Sequence, residues 1–263
     1  MNYLQAINPA QETERIISFL KQTFKKQHIE NAVVGLSGGI DSATSFYLIK
    51  NVLASQNIFV AHLSYFPNSF PEFLNIAKDA KIPQENIYNL SIKKSVDAIL
   101  SCHPEQREGS LDQIRKGNIM ARTRMIFLYD IAKKNNAMVV GTENKSEHLL
   151  GYFTRFGDAA SDIEPIQHLY KTQVYELAKY LGIPKEIIEA KPSANLWQNQ
   201  TDEGEFGFTY TEADQVLYLY FEKKESVEEI VKKGLANAEK IISRALNNQY
   251  KHLTPYIIKA SRI

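Results

Sequence analysis

Apolar residues recur along this chain at two spacings, one helical and one continuous, and the two alternate. Ile16, Ile17, Leu20 and Phe24 fall at helical intervals, so the N-terminal arm predicts a helix. A short apolar run predicts a first strand over 32–36, and an amphipathic stretch carrying Ala43, Phe46, Tyr47, Leu53 and Ala54 predicts a helix to about residue 54. The pattern then predicts a strand over 58–63, a helix over 73–81 that stops before Pro83, and a strand over 86–92. A helix over 119–134, a strand over 137–141 and a helix over 171–181, closed by Gly182 and Pro184, continue the alternation. Residues 191–210, rich in Ser, Asn, Gln, Gly and Thr, predict a long loop of the lid or binding type. Two helices, over 227–233 and 236–246, are expected to close the chain. Strands alternating with helices give an α/β fold, a doubly wound parallel sheet with helices on both faces and right-handed connections. No internal repeat or low-complexity linker divides residues 1–263, so one domain is expected.

In such sheets ligands sit beyond the carboxyl ends of the strands. Two polar segments fall at strand ends: Gly35-Leu36-Ser37-Gly38-Gly39-Ile40-Asp41-Ser42 after the first strand, and 141–147 after the fourth. The first has the order strand, glycine turn, helix. A helix N-terminus presents unpaired N–H groups and the positive end of a dipole, and so holds phosphate. Gly38 and Gly39 admit close backbone approach, and Ser37 and Ser42 add hydroxyl donors. The lysine of the usual P-loop is missing, and Asp41 stands near its place. A carboxylate beside a polyphosphate is repulsive unless a cation lies between them, so the segment predicts a phosphate cradle that holds Mg²⁺ through Asp41.

Composition narrows the reading. With 44% hydrophobic residues in 263, a large core is available. The formal charge is +1 without a long basic run, which does not point to nucleic acid. A single cysteine, Cys102, excludes an intrachain disulfide and a CxxC pair, and the six histidines lack zinc spacing. Neither a secretory leader nor an apolar run of membrane-spanning length appears, so a cytoplasmic protein without a membrane partner is expected.

Several residues have both a bland and a functional reading. Glu143 and Glu147 are either exposed acids favoured at a helix start or, beside Asp41, the source of a second Mg²⁺ ligand. Lys171 opens a helix, where a cation opposes the dipole; it is either solvated or in contact with an anion. Arg122 and Arg124 lie in an otherwise apolar helix, where one is able to snorkel, and Arg115 and Lys116 precede it. Asp158 and Asp162 occupy a polar turn next to Arg155, and His62 ends a strand at the same sheet edge.

Taken in order, these motifs resemble one family. The 35–42 segment resembles the pyrophosphate loop of the N-type ATP pyrophosphatases, whose fold is adenine nucleotide α-hydrolase-like. GNIMARTR at 117–124, GTENKSE at 141–147, GYFTRFGD at 151–158, DIEP at 162–165, KTQVYEL at 171–177 and Pro192-Ser193-Ala194 resemble the NAD⁺ synthetases in order and spacing, from about residue 10 onward. The resemblance implies that Gly35, Leu36, Ser37, Gly38, Gly39, Ile40, Asp41 and Ser42 bind ATP phosphates, and that Asp41 and Glu147 hold Mg²⁺. It implies ATP contacts from Thr142, Lys171 and Ser193, and from His62 near the adenine. It implies that Arg122, Arg155, Asp162 and Lys251 hold deamido-NAD, with Arg122 reaching the substrate of the neighbouring subunit of a homodimer. The implied reaction joins ammonia to the nicotinate carboxylate of deamido-NAD through an acyl-adenylate, with Asp41, Lys171 and Asp162 as the catalytic residues. The synthetase-like region starts within the first few dozen residues, which leaves no room for a glutaminase domain, so free ammonia is the expected donor. Asn195, Asn199, Ala159-Ala160 and the 64–71 loop depart from the family's usual pattern. Two other readings stay open: a different N-type ATP pyrophosphatase acting on tRNA, which the missing cysteine pair and basic regions disfavour, and a module that binds deamido-NAD without turnover.

Overall fold

The computed structural model describes residues 2–67, 70–102, 112–193, 196–197, 200–253 and 255–258. Ala194, Asn195 and Asn199 lie outside the described residues, as do two positions of the 64–71 loop. Four strands, β1 (Asn31–Gly35), β2 (Ile58–Ser64), β3 (Ile87–Ser91) and β4 (Ala137–Val140), form a parallel sheet in the order β3-β2-β1-β4. The register pairs Gly35 with Ala61 on one side of β1 and Val34 with Val140 on the other. The chain winds outward from β1 through β2 to β3, then returns to the far side of β1 as β4. That reversal opens a crevice at the carboxyl end of β1.

Alternation along the strands splits the core in two. Ala32, Val34, Ile58 and Val60 face one set of helices, α1 (Pro9–Gln27), α2 (Ile40–Ile49), α3 (Phe73–Asp79) and α7 (Lys171–Tyr180). Val33, Phe59, Ala61 and Leu63 face α4 (Lys93–Ser101) and α5 (Gln113–Asn135). The doubly wound sheet with helices on both faces is therefore observed. A third cluster, built by α6 (Lys145–Leu150), α10 (Tyr210–Leu217), α11 (Val227–Lys232) and α12 (Ala238–Asn248), packs Leu150, Tyr170 and Phe206 beside the sheet. Among the described residues no helix is long and apolar enough to cross a membrane.

Where sequence and structure differ, local capping explains it. The helix expected to reach residue 54 stops at Ile49: Val52 N–H turns back to the Ile49 carbonyl at 2.8 Å, while Leu53 still packs on the core. Helix α5 begins six residues before the expected position, because the Asp112 side chain accepts from Ile114 N–H at 3.0 Å. The 191–210 stretch is not loop throughout. It contains α9 (Asp202–Phe206), capped by Thr201 and ended by Gly207 at φ 71°. The sequence reading also missed α4, α6, α8 (Lys185–Ile188) and α10.

Candidate active site

The 35–42 loop leaves β1 with Leu36 N–H on the Ala61 carbonyl at 2.8 Å and enters α2 at Gly39. Gly38 adopts φ +90°, and a Cβ there would stand 3.1 Å from the Phe70 ring. The positive φ favours glycine, and any Cβ would also have to push the ring back by a few tenths of an ångström. The loop is braced from within: Ser42 Oγ donates to the Gly39 carbonyl at 2.9 Å and accepts from Ser37 N–H at 3.2 Å. The crevice above it holds about 840 Å³. All eight loop residues line it, together with His62, Thr142, Glu147, Lys171, Ser193 and Lys251.

Asp41, Glu147 and Lys171, which arrive on three different helices, converge at its floor. The Lys171 side chain is 2% exposed, which removes the solvated reading. Its Nζ donates to Asp41 Oδ2 and, at 3.0 Å, to Glu147 Oε1. Asn144 Nδ2 holds Asp41 Oδ1 at 2.9 Å, while Asn144 Oδ1 caps α6 by accepting from Glu147 N–H at 3.0 Å. Burial pushes the Glu147 carboxyl up to about 8 against the pull of Lys171, whose own pKa is raised by the two carboxylates. Glu143 does not take part. It is buried, but turned to Gln167 Nε2 at 2.7 Å and His148 Nδ1 at 3.3 Å.

Two carboxylates that share one ammonium aim at a single point. That set fits Mg²⁺, which takes one or two carboxylates and completes its shell with phosphate oxygens and water. Among the described residues no cluster of three acids, histidines or cysteines offers an all-protein cage, so a metal here would share its shell with substrate.

His62 is buried, with Nδ1 2.9 Å from the Leu36 carbonyl and its ring against Phe70 and Phe73 at 5.6 and 5.4 Å. Burial lowers its pKa, which favours the neutral ring with Nδ1–H donating to that carbonyl. Lys251 Nζ donates to the Gly151 and Phe153 carbonyls at 2.7 and 3.3 Å. Three expected residues are not in the crevice wall. Arg122 is exposed on α5, with Nε on the Arg155 carbonyl at 3.3 Å. Arg155 stacks over Phe156 and Tyr250, both at 5.6 Å. Asp162 ties down the edge of β4: its Oδ2 accepts from Val139 N–H at 2.7 Å.

Sequence reasoning overlooked the supporting groups. Asp214, fully buried on α10, accepts from the Ser146 hydroxyl and, through Oδ2, from Thr172 N–H at 2.8 Å and Thr172 Oγ1 at 2.7 Å. It thus caps α7 and fixes the start of the helix that carries Lys171. Its only sequence signal is an acid inside an apolar helical stripe. Glu164 was read only as part of a motif. Its carboxyl, raised to about 8 by burial, accepts from Glu143 N–H at 3.2 Å and from the Ser161 hydroxyl at 2.7 Å, directly over Gly141. A Cβ on Gly141 would stand 1.8 Å from Glu164 Oε1. Gly141→Ala is therefore expected to displace that carboxyl and destabilise the fold by roughly 1–3 kcal/mol, the cost of breaking buried hydrogen bonds. A melting temperature equal to wild type would refute this close packing.

Residues 12–255 match the NAD synthase family. Over 268 aligned residues the chain is 43% identical to an NH(3)-dependent NAD(+) synthetase of Fusobacterium nucleatum, covering 100% of both. Among solved structures, an NMN synthetase from Francisella tularensis superposes with a TM-score of 0.80 at 32% identity, over 97% of this chain and 100% of that one. An NH3-dependent NAD synthetase from Campylobacter jejuni gives 0.79 at 29% identity, over 96% and 100%.

Proposed function

The chain belongs to the NAD synthase family, and on that premise we propose that this crevice is where it joins ammonia to the nicotinate carboxylate of deamido-NAD. The enzyme is a C–N bond-forming ligase that consumes ATP and yields NAD. The observation that carries the assignment to this site is the meeting of Asp41, Glu147 and Lys171 at the mouth of a glycine loop and helix N-terminus. In this reading the N–H groups of 35–42 and the Lys171 ammonium bind the β- and γ-phosphates, with Thr142 and Ser193 alongside and the adenine toward His62. Asp41 and Glu147 hold Mg²⁺, which when bound offsets charge on the departing pyrophosphate. A carboxylate oxygen of the substrate attacks the α-phosphorus, the α–β bridging oxygen leaves with pyrophosphate, and ammonia then displaces AMP from the acyl carbon. The substrates supply both nucleophiles; the protein positions them and excludes water.

Mixing the protein with ATP, Mg²⁺ and deamido-NAD, with ammonium or glutamine as nitrogen donor, should give AMP and NAD in parallel with ammonium. Deamidated NMN belongs beside deamido-NAD in that assay, because the Francisella relative is an NMN synthetase. No AMP with either substrate would sink the reading.

A homodimer and a cytoplasmic location complete the proposal. Arg122, Arg155 and Asp162 would reach the dinucleotide along the seam between subunits, Arg122 on the neighbour's substrate. An exposed patch in which Arg155 joins Phe156 (56% exposed) and Tyr250 (50% exposed) supports that seam. Phe156→Glu should shift the protein toward monomer in light scattering after size exclusion and raise the KM for deamido-NAD. An unchanged mass would remove this patch from the interface.

A further inference from the structure

Arg124 is one of the charged groups in the crevice wall that the reading above leaves unused. It projects from α5, on the face of the sheet opposite to Lys171. Its Nε donates to the Leu63 carbonyl at 3.0 Å, at the end of β2. Among the described residues neither terminal NH₂ group has a hydrogen-bond acceptor, and no carboxylate lies within ion-pair distance. Burial lowers its pKa. A guanidinium carries five N–H donors in a planar fork. Among the described residues neither terminal nitrogen is a buried unpaired atom, so the fork presents its free donors to the open crevice, where an anion can meet them.

Its neighbours locate that anion. On one side Arg124 is held to the carbonyl of Leu63, the residue after His62, which is read as facing the adenine and lines the same crevice. On the other side the crevice wall continues to Asp158, in the same turn as Arg155 and the Phe153 carbonyl that anchors Lys251. Arg124 thus stands between the ATP side and the dinucleotide side of one cavity. Lys171, with Asp41 and Glu147, is committed to the far end of the triphosphate. The two reacting anions, an α-phosphate and a carboxylate, repel each other as they approach, and a planar fork can bond to both at once.

We propose that Arg124 is a catalytic residue of the adenylation step, its guanidinium bridging the α-phosphate of ATP and the substrate carboxylate that attacks it. This rests on the ligase reading above. The carboxylate oxygen forms the new O–P bond, the bond to the α–β bridging oxygen breaks with its electron pair leaving on pyrophosphate, and Arg124 keeps its protons throughout. Lysine cannot replace it, because a single ammonium lacks the bidentate fork.

The test is ATP–pyrophosphate exchange dependent on deamido-NAD, with ammonia absent, so that only the first half-reaction is read. Arg124→Gln and Arg124→Lys are compared with wild type. Trp197, the sole tryptophan of the sequence, lines the same crevice, and its emission reports nucleotide binding separately. Exchange should fall about 10²–10³-fold in both variants, the loss typical of removing a donor aimed at developing charge. ATP binding should stay within about threefold, and added guanidinium ion should partly restore Arg124→Gly. A loss under about tenfold in either folded variant overturns the proposal. So does a loss that guanidinium leaves unrepaired and that follows a lowered melting temperature, because the bond to Leu63 would then be the whole role. Absence of exchange in the wild type overturns the ligase reading itself, and this proposal with it.

Discussion

Asp41→Asn should abolish pyrophosphate release, by about 10³-fold or more, while leaving the fold intact. Both halves of that expectation come from the same contacts. Asparagine keeps the shape, and its Oδ1 still accepts from Asn144 Nδ2, so α2 and α6 stay joined. Lys171 loses one anionic partner and retains Glu147 at 3.0 Å. Losing one of the two carboxylate partners of a buried ammonium costs roughly 1–3 kcal/mol, which leaves the protein folded. The chemical step suffers far more, since a metal contributes several kcal/mol of charge stabilisation that a neutral amide cannot anchor. Three readouts check this together: the melting temperature, the deamido-NAD-dependent rate, and the effect of Mg²⁺ on ATP binding at Trp197. In the wild type Mg²⁺ should tighten ATP binding and a chelator should reverse the gain; in Asp41→Asn the gain should vanish. Turnover within tenfold of wild type would remove Asp41 from the metal assignment.

The same residues show how much of the molecule was legible in its sequence. The sheet was legible because buried parallel strands are short continuous apolar runs, and Ala32, Val33, Val34, Ile58, Phe59 and Val60 leave few alternatives. The glycine loop was legible because an acid in place of the P-loop lysine restricts the chemistry so strongly. Lys171 was half legible: its place at a helix start marks it as unusual, but only tertiary structure supplies the two carboxylates that bury it. Asp214 was not legible, because a cap across 42 residues leaves no local pattern. Asn144 carries a local signal as the cap of its own helix, but its bond to Asp41, 103 residues away, leaves none. In the sequence Arg124 is one of two arginines able to snorkel. Spacing alone cannot say which faces water: Arg122 does, and Arg124 turns into the crevice. The short helices α6, α8 and α9 escaped because four to six residues give no full amphipathic period, so their caps alone define them.

Lys171→Met should reduce turnover as severely as Asp41→Asn, but it should also unsettle the fold, and the two effects can be separated. Lys171 is 2% exposed, against 15% and 17% for the Asp41 and Glu147 side chains it joins. Removing one member of a buried ionic group costs about 3–5 kcal/mol when the rest is left uncompensated. The partial exposure of both carboxylates places the expected loss at or just below the lower end, roughly 2–3 kcal/mol. The carboxylates would respond by retaining a proton. Burial already pushes Glu147 up to about 8, and without Lys171 the opposing pull disappears. A carboxyl whose folded pKa lies above its unfolded value favours the native state on the acid side, and that advantage is lost as pH rises through the folded value. Wild type and variant lose that advantage in parallel up to about pH 8, so the variant should fall further below wild-type stability as pH rises above about 8. Adding Glu147→Gln should remove that buried ionisation, recover most of the further loss of melting temperature above pH 8, and leave turnover as low as before. A structural lysine alone would let stability and activity return together in the double variant, and that outcome would strip Lys171 of its place at the phosphates.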